Sequence, residues 1–449
     1  MLREAIERYH DLVTDEVGAE TQAQLNDQLR RRGLFFGDRP LCTVLRPRFL
    51  LPEHYRELTA RATAILVAFD TAYRAALADR DIRAQFGLLD WEEALLKHAP
   101  CFPDPSPVSR LDAFFLPEAG ELRFTEYNAE TPAGTAYNDV LSEVFCTLPP
   151  MRAFLRDYAV RPLPARHCVL HALLECHQHW GGRGEAPRVA VLDWREVPTY
   201  SEFVLFEDYF RAQGVECVIV DPRDLEYRNG RLVAGDFHIT LLYKRVLLSE
   251  LVDRVGLDHA VFRAVRDGTV CMVNPFRCKI LHKKASLAVL SDERNAGLFT
   301  AQEREAIARH IPWTRRVEER RTLHEGRSVD LIPFVLEHRE HLVLKSNDEY
   351  GGKGIVLGWE TDHAGWEGTV LAALDHPTVV QERVSVPREP YPSLAGGRVQ
   401  IIDRMLDTDP FIFHGRRVDG CLTRLSTAPL LNVTAGGGST VATFIVEPR

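Results

Sequence analysis

The stretch Ser109-Arg-Leu-Asp-Ala-Phe-Phe-Leu-Pro-Glu-Ala-Gly-Glu-Leu-Arg-Phe-Thr-Glu-Tyr-Asn128 decides how this chain is read. Two strand-like runs flank Glu118-Ala119-Gly120, a three-residue loop with glycine where a left-handed conformation is wanted. Closing the hairpin there pairs Pro117 with Glu121, Asp112 with Glu126 and Arg110 with Asn128. Side chains alternate along a strand, so Arg110, Asp112, Glu126 and Asn128 share one face. Two carboxylates directly opposed repel each other, and a divalent cation between them removes that penalty. Oxygen-only ligands on a rigid hairpin suit Mg2+, with Asn128 adding a neutral oxygen. Arg110, a permanent cation, can face an anionic substrate or a developing oxyanion. A surface hairpin whose charges face water, with Arg110 bridging to Asp112 or Glu126, fits the same residues.

Further along, Leu342-Val-Leu-Lys-Ser-Asn-Asp-Glu-Tyr-Gly-Gly-Lys-Gly-Ile-Val-Leu357 reads as strand, loop, strand. Gly351, Gly352 and Gly354 let backbone N–H groups approach phosphate oxygens closely, while Lys345 and Lys353 add charge. The GxxxxGK[ST] order of a Walker A loop is absent, and a plain glycine-bearing hairpin is the other reading. Thr378-Val-Val-Gln-Glu-Arg-Val384 is expected to be a buried strand with Gln381 and Glu382 at its end. Such a segment can offer backbone groups to an adenine edge and a carboxylate to a ribose; an edge strand with an exposed polar pair has the same pattern. In Asn274-Pro-Phe-Arg-Cys-Lys-Ile-Leu-His-Lys-Lys284, Lys279 and Lys283 share a helical face and Lys284 points elsewhere. A solvated basic face is the usual explanation for such a run.

The remaining sequence bounds the answer. A chain of 449 residues exceeds one ordinary core, so several packed subdomains are expected. Boundaries fall at 1–104 (helical), 105–186, 187–275 and 276–449. A net charge of −9 gives no electrostatic reason for nucleic-acid binding, so an anionic ligand needs locally concentrated cations. No run of about 18 apolar residues occurs, which argues against a membrane span. The N-terminal MLREAIERYHDLVTDEV lacks the apolar core of a signal peptide. The 9 cysteines are scattered and never spaced CxxC, as expected of reduced thiols in a cytoplasmic protein. Residues 187–275 read as a Rossmann-like α/β unit with an Asn229-Gly230 hairpin turn but no GxGxxG after its first strand. Asp193-Trp-Arg-Glu196 follows that strand, where ordinary turn polarity and a substrate crevice are both open. His167, Cys168, His171, Cys176, His177 and His179 lie in a helical run and do not converge as a zinc site by spacing.

Taken in order, the RxD element at Arg110, Thr125-Glu-Tyr-Asn-Ala-Glu-Thr-Pro132, NPFRCKILHKKA, LKSNDEYGGKGIVLG, VVQERV and NVTAGGGST resemble the circularly permuted ATP-grasp proteins. The synthetase domains of glutathionylspermidine synthetases are similar over roughly 105–449. The resemblance implies an α/β (α+β) permuted ATP-grasp core with a Rossmann-like subdomain and a helical N-terminal region. It implies Asp112, Glu126 and Asn128 as Mg2+ ligands, Arg110 as the catalytic arginine, and Lys284 and Lys345 on the phosphates of ATP. Gly351, Gly352, Lys353 and Gly354 match the glycine loop, and Gln381 and Glu382 the adenine hinge. Asn432 and Gly436 to Gly438 match a terminal loop near the site. The implied activity joins a small-molecule or peptide carboxylate to an amine through an acyl phosphate, with no nucleic-acid or membrane partner. Glutathione and spermidine themselves are not specified, and the first 100 residues read as helical, with only Cys42 and, just beyond them, Cys101, so an N-terminal Cys/His amidase is not expected. A kinase-like phosphotransferase and a non-catalytic ATP-binding regulator remain as alternatives, and the oligomeric state is left open.

Overall fold

Apolar residues at helical spacing build the front of the chain as Leu2–Asp11, Asp15–Arg31 and the long Pro52–Ala78. The computed structural model describes residues 1–181, 184–349, 351–428 and 438–449. Pro52 opens the long helix at its first turn, where a missing N–H is no loss. Leu58, Ala62, Ile65, Phe69 and Tyr73 of that helix pack beneath Leu111, Ala113, Phe115, Leu122, Phe124 and Tyr127 of the hairpin. One face of the hairpin is thereby fixed to the core. Its other face is free to carry polar groups.

The hairpin is formed by Val108–Leu116 and Glu121–Asn128. Asp112 pairs with Glu126 and Arg110 with Asn128, as the sequence predicts, but the turn differs. The closing pair is Leu116 with Glu121, rather than Pro117 with Glu121. Pro117–Ala119 is a short 3-10 turn, and Gly120 takes the left-handed conformation at φ 65°. The extra residue is absorbed by a bulge at Thr125, between the pairs Asp112–Glu126 and Ala113–Phe124. The cause is the apolar pattern: in an unbroken strand Leu122 and Phe124 would share the face of Glu126. A bulge reverses the alternation once, so Leu122, Phe124 and Tyr127 all reach the core while Glu126 and Asn128 stay on the polar face.

The hairpin edges a 7-stranded antiparallel sheet, whose other members include Asp409–Phe413, Arg417–Ser426, Arg398–Leu406 and Arg388–Ala395. A second sheet of 4 strands runs Thr314–Arg316, Thr378–Glu382, Leu342–Ser346, Ile355–Leu357. The α/β unit is a 4-stranded parallel sheet in the order Cys271–Val273, Leu241–Lys244, Arg188–Leu192, Glu216–Val220. Its Asn229 and Gly230 both have positive φ (54° and 71°), the geometry a two-residue hairpin turn demands. The chain's ends meet where Arg48–Leu50 pairs in parallel with Thr443–Pro448.

The basic run differs from a solvated face. The helix Cys278–His282 is short, and Lys279, Lys283 and Lys284 are 1%, 1% and 4% exposed. Carboxylates brought from three distant segments make that burial tolerable. Lys279 Nζ lies 2.6 Å from Asp348, 3.1 Å from Glu130 and 3.4 Å from Glu92, and Lys283 Nζ lies 2.8 Å from Glu92. The histidine-bearing helix Arg166–Trp180 also gains a partner from afar. Among the described residues, His167, Cys168 and Asp419 place their ligand atoms within 4.8 Å of one another, without the other histidines.

Candidate active site

The polar face of the hairpin forms one wall of a cavity of about 910 Å3, and the Leu342–Ser346 sheet forms the opposite wall. Two lysines bridge them. Lys284 Nζ sits 3.1 Å from Glu126 Oε1 and donates to the Glu349 carbonyl at 2.5 Å. Lys345 Nζ donates to the Thr125 carbonyl at 3.1 Å and to Gln381 Oε1 at 2.7 Å. The bulge therefore serves the site too, because its unpaired carbonyl is the one Lys345 takes. Gln381 reaches Lys345 because Val343 is its cross-strand partner, and residues two apart share a face. Its Nε2 donates to Thr314 Oγ1 at 3.0 Å, so its side chain is fixed between the lysine and the neighbouring strand.

Gly351 and Gly352 line this cavity together with Lys345, Gln381 and the half-buried Glu382. Gly354 sits at the loop's base with φ 66°, and a Cβ there would fall 2.7 Å from the Ser346 Cβ, so glycine is required. Lys353 faces a second, smaller cavity instead. Trp359 and Arg383, stacked at 4.2 Å, lie at the end lined by Glu382. Of the sequence-derived residues, Asn432, Gly436 and Gly437 lie outside the described residues.

Within the cavity, charge gathers around Asp112. Arg110 donates to both its oxygens at 2.8 and 3.0 Å, Arg424 Nη2 at 2.7 Å and Asn128 Nδ2 at 2.9 Å. Arg424 also binds Asp407 at 2.6 Å and Asp409 at 3.0 Å. Burial pushes the Asp112 carboxyl up, but Arg110 and Arg424 outweigh it and hold it below the ordinary carboxylate range. Glu126 follows the same logic, with Lys284 overcoming burial to give a net lowering. Asp409 goes the other way: burial, then Asp112 and Asp407, raise it well above its ordinary value. Burial lowers Lys345 to about 8, against the opposing pull of Glu126.

Asp112, Glu126 and Asn128 fit a hard divalent cation by donor chemistry, as three oxygen-bearing side chains on one face of one hairpin. Arg110 bridges to Asp112, as the plainer reading of the hairpin requires, yet the group faces a cavity rather than open water. Arg424, Asp407 and Asp409 were not singled out from sequence. Their signal was present in Asp407-Thr-Asp409, two acidic residues flanking a strand junction in an otherwise apolar stretch.

The second cavity, of about 430 Å3, shares Arg110, Asn128, Gly351 and Arg424 with the first. Asp193 lines it, whereas Arg195 and Glu196 of the same turn are exposed in surface ion pairs with Asp224 and Arg223. Burial pushes the Asp193 carboxyl up to about 7.

No family model matches the chain. It is 25% identical over 348 residues to the uncharacterized protein sll0335 of Synechocystis, covering 72% of this chain and 65% of that protein. The chain thus spans less than two thirds of that relative's length. Among solved structures it is similar to a glutathione synthetase-like effector (GSS30) from Globodera pallida, with TM-score 0.61 and 12% identity over 95% of this chain and 96% of that one. At that identity the likeness is one of fold alone, a mixture of helix and sheet. D-alanyl-alanine synthetase A from Vibrio cholerae overlaps 50% of the chain with a TM-score of 0.26, too slight to bear on either fold or function.

Proposed function

We propose that this chain is an ATP- and Mg2+-dependent ligase that joins a carboxylate to an amine through an acyl phosphate, in a circularly permuted ATP-grasp arrangement. The observation that carries this reading is the contact of Lys284 and Lys345, from the back of the chain, with Glu126 and Thr125 at its front. In this reading residues 105–186 supply the metal-binding half and 276–449 the nucleotide-binding half. The 9 free cysteines accord with a cytoplasmic setting.

Asp112, Glu126 and Asn128 would hold Mg2+, which when bound neutralises charge on the phosphates. Lys345, held by Gln381 and Thr125, presents its ammonium to the triphosphate, and the N–H groups at Gly351 and Gly352 cradle its oxygens. A substrate carboxylate oxygen bonds to the γ-phosphorus as the bond to ADP breaks. The amine nitrogen then attacks the acyl carbon; phosphate leaves with the bonding electrons, and the nitrogen loses a proton. Arg110 stabilises the tetrahedral oxyanion between these events. Segment 347–354 shields the acyl phosphate from water.

Hydroxylamine trapping tests this. Over a panel of carboxylates, Mg2+-dependent ADP release should be accompanied by a hydroxamate. ADP without hydroxamate would identify a kinase-like phosphotransferase, and Mg-ATP binding without turnover a non-catalytic regulator.

A further inference from the structure

Beside the nucleotide cavity lies the second chamber, and one of its walls comes from the N-terminal region that the ligase reading leaves without a role. The short strands Phe35–Phe36 and Arg39–Pro40 form a hairpin whose Phe36, with Leu41 beyond it, lines this chamber. Three hydrogen bonds fix its position: Gly37 N–H to the Pro198 carbonyl at 2.9 Å, and Tyr137 and Ser201 hydroxyls to the Phe35 carbonyl at 2.8 and 2.6 Å. Val197, Pro198 and Leu247 continue the apolar wall.

The chamber's three arginines are already paired. Arg245 pairs with Glu202 and donates to the Pro132 carbonyl and Tyr243 hydroxyl. Arg110 and Arg424 at its mouth are taken by Asp112, Asp407 and Asp409. Asp193 is the exception. It is 6% exposed, accepts from the Trp194 N–H at 2.8 Å, and makes no ion pair among the described residues. A buried carboxylate without a counter-charge is costly unless the ligand supplies one or it takes a proton.

We propose that this chamber takes the acceptor as a primary amine carrying one ammonium and an uncharged apolar body, and that the N-terminal hairpin, through Phe36 and Leu41, selects that body. The inference rests on the ligase reading and narrows its amine. Asp193, with Glu250 the chamber's other carboxylate, suits an ammonium head, while Phe36, Leu41 and Val197 suit an uncharged body better than the further ammonium groups of a polyamine. Asp193, with its carboxyl raised to about 7 by burial, accepts one ammonium proton and leaves the nitrogen lone pair free for attack.

The test uses the full chain with isoamylamine, spermidine and hydroxylamine as acceptors, and Phe36→Ala and Phe36→Leu as variants. In the wild type, kcat/KM for isoamylamine should exceed that for spermidine. Phe36→Ala should lower the isoamylamine-to-hydroxylamine ratio by about tenfold, the scale of discrimination an apolar pocket provides, and Phe36→Leu should largely restore it. Preference for spermidine, or an unchanged ratio in Phe36→Ala, overturns the proposal. Absence of ADP release with hydroxylamine for every carboxylate marks failure of the ligase reading instead. Calorimetric titration of isoamylamine, with sodium isovalerate as the anionic control, then decides the chamber by itself. Binding of the amine that weakens in Phe36→Ala supports the proposal; binding of isovalerate in its place, or of neither, overturns it.

Discussion

Two buried charge clusters stand on either side of the hairpin, built from the same kinds of residue and put to different uses. The first, Arg110 and Arg424 with Asp112, Asp407 and Asp409, opens onto the large cavity. The second, Lys244, Lys279 and Lys283 with Glu92, Glu130 and Asp348, is sealed around Glu130, which is 0% exposed. In the sealed cluster every carboxylate has a lysine partner and Glu130 also accepts from the Leu248 N–H at 2.6 Å. Burial pushes the Glu130 carboxyl up, but Lys244 and Lys279 bring it far below the ordinary range. In the open cluster Asp409 is raised instead, first by burial and then by Asp112 and Asp407, three carboxylates there sharing two guanidiniums. The open cluster can balance its third carboxylate with a proton on the raised Asp409 or, in the proposed reading, with a cation from outside. A sealed and balanced cluster fastens segments together.

The largest expected effect breaks the open cluster. Asp112→Asn and Glu126→Gln should each lower Mg2+-dependent ADP release by about 10³-fold with far-UV circular dichroism unchanged, since each removes a group acting on transition-state charge. Unaltered turnover in both variants would remove the metal assignment. The next effect belongs to the sealed cluster: Lys279→Met leaves Glu130 to Lys244 and Asp348 to Lys283, a buried cluster one positive charge short, so urea unfolding should show a loss of about 3–5 kcal/mol. A loss within the range of an ordinary surface lysine would place Lys279 with solvated charges. The smallest effect sharpens the contrast through pH. Lys345 lies below its ordinary value at about 8, so it is charged below that pH and neutral above it. Mg-ATP affinity should hold steady below about pH 8 and fall by at most about tenfold per unit above it. Lys345→Arg should flatten the profile, and a flat wild-type profile would deny Lys345 a place on the phosphates.

Much of the open cluster was legible because hairpin pairing is a local matter. Asp112 opposite Glu126 and Arg110 opposite Asn128 follow from short-range register, even though the turn closes one residue early. The compensating bulge was readable in principle, since Leu122, Phe124 and Tyr127 break a period of two at Thr125. Lys345 and the glycines announced themselves by type and spacing. Arg424, inside a strand, and Asp409, at the start of one, gave weaker signals, because a charged residue there looks the same whether it faces water or a buried partner about three hundred residues away. The basic run around Lys279 was misleading for the same reason: its carboxylates come from the Asp90–Leu95 helix, the end of the hairpin and the glycine loop.

The amino-acid sequence by itself determined the elements, the opposed carboxylates and the order of the lysine- and glycine-bearing segments, since these depend on alternation, helical period and neighbours along the chain. Tertiary structure alone decided which charges are buried together, that Gln381 holds Lys345, and that Phe36 closes a second chamber. The physical reason is that the effect of a charge depends on the dielectric and the partners around it, and those are assembled only when distant segments pack.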